Sequence, residues 1–231
     1  IGLKFTGATN TAVWVQAWEF NRNGANYWPY MRPKVKNCIF FNNRDESPHS
    51  VGGAVYLDDS EAIFESCVFD SNYAFQRGGA VYITSDSNQH KRSHFRNCTF
   101  KNNMVHLWDG ATDNQGNPQN WEPEGSAIAI QNKSTATIVD CIFENNKILQ
   151  ESNQDQRSAR GTIVADTEWD ANTSESNFII IIDRSIFRNN TIQSTGNTYG
   201  AGIAIYRPAR ITNNLIVNNK MINNGFLEFF K

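Results

Sequence analysis

One heptapeptide recurs six times along the chain, and its spacing restricts the fold more than any other feature. The copies are Asn37-Cys-Ile-Phe-Phe-Asn-Asn43, Ser66-Cys-Val-Phe-Asp-Ser-Asn72, Asn97-Cys-Thr-Phe-Lys-Asn-Asn103, Asp140-Cys-Ile-Phe-Glu-Asn-Asn146, Arg184-Ser-Ile-Phe-Arg-Asn-Asn190 and Asn213-Asn-Leu-Ile-Val-Asn-Asn219. A second motif alternates with it: Gly52-Gly-Ala-Val-Tyr-Leu57, Gly78-Gly-Ala-Val-Tyr-Ile83, Gly125-Ser-Ala-Ile-Ala-Ile130, Gly161-Thr-Ile-Val-Ala165 and Gly200-Ala-Gly-Ile-Ala-Ile205, with Asn10–Val15 as a degenerate first copy. The second positions of the heptapeptide are 29, 31, 43, 44 and 29 residues apart. The motifs keep their length while the connections vary, as in a solenoid whose loops lie outside its coil.

Each motif is a run of four to six residues with period-2 alternation, bounded by Asn or Gly, and no helical pattern ten residues long occurs. Two or three such strands per repeat predict an all-β parallel β-helix of about six coils, with long loops, over residues 1–231. Alternation turns Val55, Leu57, Cys67 and Phe69 inward and Tyr56 and Val68 outward. Phe40, Phe69, Phe100, Phe143 and Phe187 then form an internal aromatic stack. The chain holds 30 asparagines in 231 residues, and the repeat gives them a place. Asn43, Asn72, Asn103, Asn146, Asn190 and Asn219 form a corner column in which each amide bonds its neighbours above and below. Asn37, Asn97 and Asn213 form a second, partial column. The Gly-Gly pairs supply tight entry into the first strand. Cys38, Cys67, Cys98 and Cys141 fall in one line, which cannot make a tetrahedral zinc shell. They read as buried thiols, with one disulfide between adjacent coils as the alternative.

Composition excludes several classes. A formal charge of −2 and a pI near 6.1 leave no electrostatic footprint for nucleic acid. No apolar run reaches the ~20 residues of a spanning helix. No phosphate loop, nucleophile elbow, helical zinc motif or calcium repeat is present, and no metal or cofactor is expected.

Together, the Gly-Gly-Ala-Val motifs at Gly52 and Gly78 and the Phe-x-x-Asn motifs ending at Asn43, Asn72, Asn103, Asn146 and Asn190 resemble the repeats of the chlamydial polymorphic outer-membrane proteins. Similar repeats occur in other surface β-helices of the pectin-lyase-like superfamily. The resemblance covers about residues 10–219 and implies a right-handed helix, an extracellular or cell-surface location and an adhesin role. With no initiating Met and decayed motifs at both ends, the chain reads as a segment of a longer polypeptide with further domains.

In that superfamily ligands lie on the outer face of the first sheet, so its outward columns are the candidate site. Trp14, Tyr56 and Tyr82 make an aromatic strip suited to sugar rings or, alternatively, simple cross-coil packing. Asp58 and Asp166 lie in the next column. The loops Gln16–Pro33 and Met104–Glu124 carry further aromatics, among them Trp108 and Trp121, which either bind ligand or anchor the loops. Glycoside hydrolysis needs two carboxyls about 5–9 Å apart; Asp58 and Asp166 are three coils apart, and no acidic cluster is expected on successive coils. Arg207 and Arg210 are expected far from most acids, and Asp166, Glu168 and Asp170 read as a solvated turn. The sequence therefore favours a non-catalytic surface protein with a polysaccharide or host glycan as partner. The alternatives are a polysaccharide lyase or glycoside hydrolase in the same groove, or a structural spacer.

Overall fold

The structure is a computed structural model that describes residues 2–17, 20–22, 25–27, 31–85, 91–108, 122–151, 158–166 and 179–223. Among the described residues every regular element is a strand. One coil runs through Val55–Asp58, Ile63–Glu65, Val68–Asp70 and Tyr73–Ala74 before the chain returns to Val81–Thr84 above its starting point. Stacked coils give four parallel sheets of six, six, seven and five strands. Pairing is between repeat equivalents. Val55 lies between Val13 and Val81, and Phe69 between Phe40 and Phe100. Parallel register of this kind places like residue on like, so each repeat position becomes a column along the axis.

The predicted columns are present. Phe5, Phe40, Phe69, Phe100, Phe143 and Phe187 stack face to face with ring centroids 4.5–4.9 Å apart and planes within 9°. A second aromatic pair, Phe64 on Phe95, meets the column edge-on. Phe5 is partly buried; complete burial of each of the other rings stabilises the fold by about 1.5–3 kcal/mol before packing geometry is counted.

At the corner after the third strand, the Asn Nδ2 of one coil donates to Oδ1 of the next. From Asn43 to Asn219 the five distances are 2.9, 3.0, 2.9, 2.9 and 2.8 Å. The other Nδ2 proton goes to a carbonyl one coil back, as from Asn103 to Phe69 at 2.9 Å. Oδ1 also accepts the backbone N–H of the preceding Asn. Each interior amide is fully buried and fully used, which is the condition for a buried polar group to stabilise.

The turn itself is made by the residue just before the ladder. Asn42, Ser71, Asn102, Asn145, Asn189 and Asn218 have φ of 52–58°, and the second-to-third corner repeats this at Asn37, Ser66, Asn97, Asp140, Arg184 and Asn213. Asn is the side chain that tolerates this left-handed region best after Gly. At the entry to the first sheet, the glycine column has the same sign, φ 63° at Gly52, and a Cβ there would lie 2.3 Å from the Val55 carbonyl oxygen.

Cys38, Cys67, Cys98 and Cys141 are free and buried, so the disulfide alternative is not realised. The Sγ atoms of Cys67 and Cys98 lie 3.5 Å from the carbonyls of Val35 and Phe64, one coil back. Contact with Cys141 and burial push the Cys98 thiol up to about 12, while Cys67 partly offsets this. Ser185 and Asn214 continue the column: Ser185 Oγ accepts the Cys141 N–H, Asn214 Oδ1 accepts the Ser185 N–H, and Asn214 Nδ2 donates to the Ile182 carbonyl one coil back.

Two or three strands per repeat is an undercount, because the segment after each ladder Asn forms a fourth sheet. Its strands Met104–Leu107, Lys147–Gln150 and Thr191–Ser194 bury Val105, Ile148 and Ile192 in a small core of their own with Ala159 and Ala201. Only the second position is apolar and buried in all three strands, too weak a period to read locally.

Asn103→Leu leaves the Phe69 carbonyl, the Asn72 donors and the Asn146 acceptor without this partner, so unfolding in urea is expected to show a loss of roughly 3–5 kcal/mol. Titration with a thiol reagent is expected to find no fast-reacting Cys in the native protein and all 4 after unfolding.

Candidate ligand-binding face

Three outward columns make the outer face of the first sheet. The middle one is Trp14, Tyr56, Tyr82, Ala129, Val164 and Ala204, paired coil to coil. On one side lie Gln16, Asp58 and Thr84, followed by Gln131, Asp166 and Tyr206. On the other, the residue before each glycine forms a ladder of single bridges, Val51 to Arg77 to Glu124 to Arg160, continued by Tyr199. Side-chain size in the middle column divides this face into two unlike halves.

The first half is aromatic and open. Trp14 is 61% exposed and stacks on Tyr56 at 5.5 Å with planes 9° apart. Beside them Gln16 Nε2 donates to Asp58 Oδ2 at 2.7 Å. Tyr56 meets Tyr82 at 5.3 Å, tilted by 57°. Tyr82 points away from the coil as predicted but is only 8% exposed, and its hydroxyl donates to Gln131 Oε1 at 2.8 Å. The expected strip of three rings is therefore two accessible rings, closed at one end by the third.

The second half is charged and filled in. Ala129, Val164 and Ala204 are too short to separate the flanking columns, so long side chains meet across them. Glu124, 1% exposed, accepts Gln131 Nε2 at 2.9 Å on Oε2 and Arg160 Nη1 at 3.2 Å on Oε1, and Arg77 Nε forms an ion pair with Oε2 at 3.2 Å. Arg160 also pairs with Asp166 at 2.7 Å and with Glu122, and its guanidinium lies 4.8 Å from the Tyr206 ring centroid. Arg207 donates to backbone carbonyls of Ser134 and Asp166.

Glu122, Glu124 and Asp166 thus converge on one arginine, which overturns the expectation that acids do not gather on neighbouring coils. Arg207 is likewise beside Asp166 rather than remote from acids. The cause is the glycine-preceding column, where Arg77, Glu124 and Arg160 alternate in sign on successive coils. That alternation is visible in the sequence once the position before each repeat glycine is aligned. The aligned motif begins at the glycine itself, one residue later, and so leaves this position out.

Burial pushes the Glu124 carboxyl up to about 7, against the pull of Arg77 and Arg160 in the opposite direction. Burial alone would lower Arg160, but Glu124, Glu122, Tyr206 and Asp166 outweigh it and hold the guanidinium charged. Burial lowers Arg207 to about 10, with Asp166 opposing. The arrangement is a cationic pair clamping one buried carboxyl, with Asp166 as a second acid on the same guanidinium.

The remaining candidates lie elsewhere. Trp108 directly follows the Met104–Leu107 strand and packs edge-on to Phe75 at 4.3 Å, an anchoring contact that does not join it to Trp14 or Tyr56. Asp58 and Asp166 are three coils apart in the pairing register. Trp121, Glu168, Asp170 and the side chains of the Trp18–Tyr30 loop lie outside the described residues. Among the described residues, no group of three or more His, Cys, Asp and Glu is disposed to hold a metal ion.

Because the folded protein holds the Glu124 proton more tightly than the unfolded chain, its contribution to stability is complete below about pH 4.5 and is lost as pH rises through about 7. The full swing is on the order of 3 kcal/mol. Thermal melts of Glu124→Gln beside the wild type between pH 4.5 and 8 are expected to show the stability difference shifting toward the variant as pH rises, with this slope absent from the variant.

No curated protein and no solved structure matches the chain. Residues 2–117, half of its length, match the family described as "Right handed beta helix region". With its coils, ladders and parallel sheets in place, the chain belongs to the right-handed β-helix family.

Proposed function

We propose that this domain is a non-catalytic, adhesin-like β-helix of a cell surface that binds glycan on the open half of its first sheet. The single observation that carries this reading is Trp14, a large ring exposed to solvent and held parallel to Tyr56. Stacked aromatic faces offer a flat apolar platform to the C–H faces of sugar rings at little entropic cost, because the rings are already ordered. Gln16 and Asp58, bonded to each other, supply the polar groups that orient hydroxyls at the edge of such a platform. The likeness of the Gly-Gly-Ala-Val and Phe-x-x-Asn repeats to those of chlamydial polymorphic outer-membrane proteins favours a surface setting.

A second reading has one specific observation in its favour. Glu124, whose carboxyl burial raises to about 7, shares Arg160 with Asp166, and a raised acid beside a second carboxyl is the pairing that glycoside hydrolysis uses. Against it, both oxygens of Glu124 are engaged by protein groups, and the side chain is buried beneath the clamp.

Binding to a panel of acidic and neutral polysaccharides, with and without calcium, separates these readings. The expected result is binding that weakens at least tenfold in Trp14→Ala, with an unchanged melting temperature and no shortening of the polymer. Depolymerisation abolished by Glu124→Gln or Asp166→Ala would establish the enzymatic reading instead. Absence of binding to every polymer would leave the spacer.

A further inference from the structure

The outer face of the third sheet carries a pattern that the glycan-binding reading does not use. Each of its strands presents its first and third residues outward. The first positions, from the second strand to the seventh, are Ile39, Val68, Thr99, Ile142, Ile186 and Leu215, an almost wholly apolar column. The third positions are Phe41, Asp70, Lys101, Glu144, Arg188 and Val217. All twelve side chains are exposed or half-buried. The charged column alternates in sign, and its members pair within the chain, Lys101 with Asp70 at 3.4 Å and Arg188 with Glu144 at 3.1 Å.

This order is its own complement when reversed. Read from the other end, the charged column is Val217, Arg188, Glu144, Lys101, Asp70 and Phe41. Laid against the original, it matches every charge with its opposite and sets the apolar ends together. The neighbouring column reversed sets Ile39 on Leu215, Val68 on Ile186 and Thr99 on Ile142. A two-fold axis running along the strand direction, between the Thr99–Lys101 and Ile142–Glu144 strands, performs this reversal and keeps each column facing its own kind. Moving the register by one coil sets Asp70 against Glu144, or Lys101 against Arg188. A two-fold along the coil axis keeps the coils level, and it sets like charge on like when it runs over the charged column or the charged column on the apolar one when it runs between them. A single arrangement therefore satisfies all four charges, as an isologous interface requires.

We propose that the third sheet is a self-association face on which a second copy of this chain packs antiparallel, with Asp70 opposite the second copy's Arg188 and Lys101 opposite its Glu144. Six strands at about 4.8 Å make a face roughly 30 Å long. Such a face is smaller than the ~800 Å² per partner of a standard stable interface. The dimer is accordingly weak and reversible, and salt weakens it further because its charges lie at the rim of water.

Sedimentation equilibrium from about 10 µM to 1 mM tests this, with circular dichroism confirming the fold of each variant. The wild type is expected to dimerise reversibly. Asp70→Lys/Glu144→Lys, whose column is wholly positive, and Lys101→Glu/Arg188→Glu, whose column is wholly negative, are each expected to be monomeric. Their equimolar mixture is expected to restore the dimer. If either charge variant does not fold, Val68→Cys and Ile186→Cys replace it, and a bifunctional maleimide spanning about 10 Å, the separation of two packed sheets, is expected to link one to the other but neither to itself, which lies three coils away. A wild type that stays monomeric at 1 mM overturns the proposal. So does a charge variant that dimerises alone, a mixture that does not recover, or a cysteine variant that links to itself.

Discussion

The buried amide ladder is the interaction on which the rest of the molecule depends. A chain that turns sharply inside a coil must hide backbone donors and acceptors that no sheet can reach. The interior ladder asparagines meet that requirement with one side chain, accepting from the coil before and donating to the coil after. Because the bond lengths are short and repeated, the ladder also fixes the height of each coil over the last. The phenylalanine column, three residues before it in each repeat, then stacks at nearly the same interval. Hydrophobic burial supplies most of the energy, and the ladder selects the register in which it is collected.

Much of this was legible in the chain. A residue that recurs at a fixed place in every repeat ends in a column, whatever the loop lengths between, so the Phe, Asn, Gly and Cys positions could be placed without knowing a single contact. What escaped were features with weak or displaced periodicity. The fourth sheet repeats one apolar residue at Val105, Ile148 and Ile192 among varied neighbours. The Arg77–Glu124–Arg160 ladder changes residue type at every step, and a search for sameness passes over it. Tyr82 shows a different limit. Alternation states which way a side chain points, and it pointed outward as expected, but its accessibility depends on Gln131 one coil away.

The first sheet shows how a rigid repeat can carry two kinds of surface. Large rings on its early coils fill the middle column and leave a platform. Small residues on the later coils leave a trough, which Arg77, Gln131, Glu124, Arg160 and Asp166 close from both sides. Closing it takes Glu124 out of water, and the cost of ionising it there is what raises its proton affinity. The two halves follow from one variable, the volume at a single repeat position.

Stacked phenylalanines, a continuous amide ladder and parallel strands in register are the same contacts that hold amyloid fibrils together. Here a single covalent chain makes them, so the number of layers is written in its length and not set by how many molecules happen to meet. A fibril grows by adding a layer at its end. In this molecule a further strand of compatible register would join at an end of the described stack, and at the C-terminal end Leu215, Ile216 and Met221 are each more than half exposed.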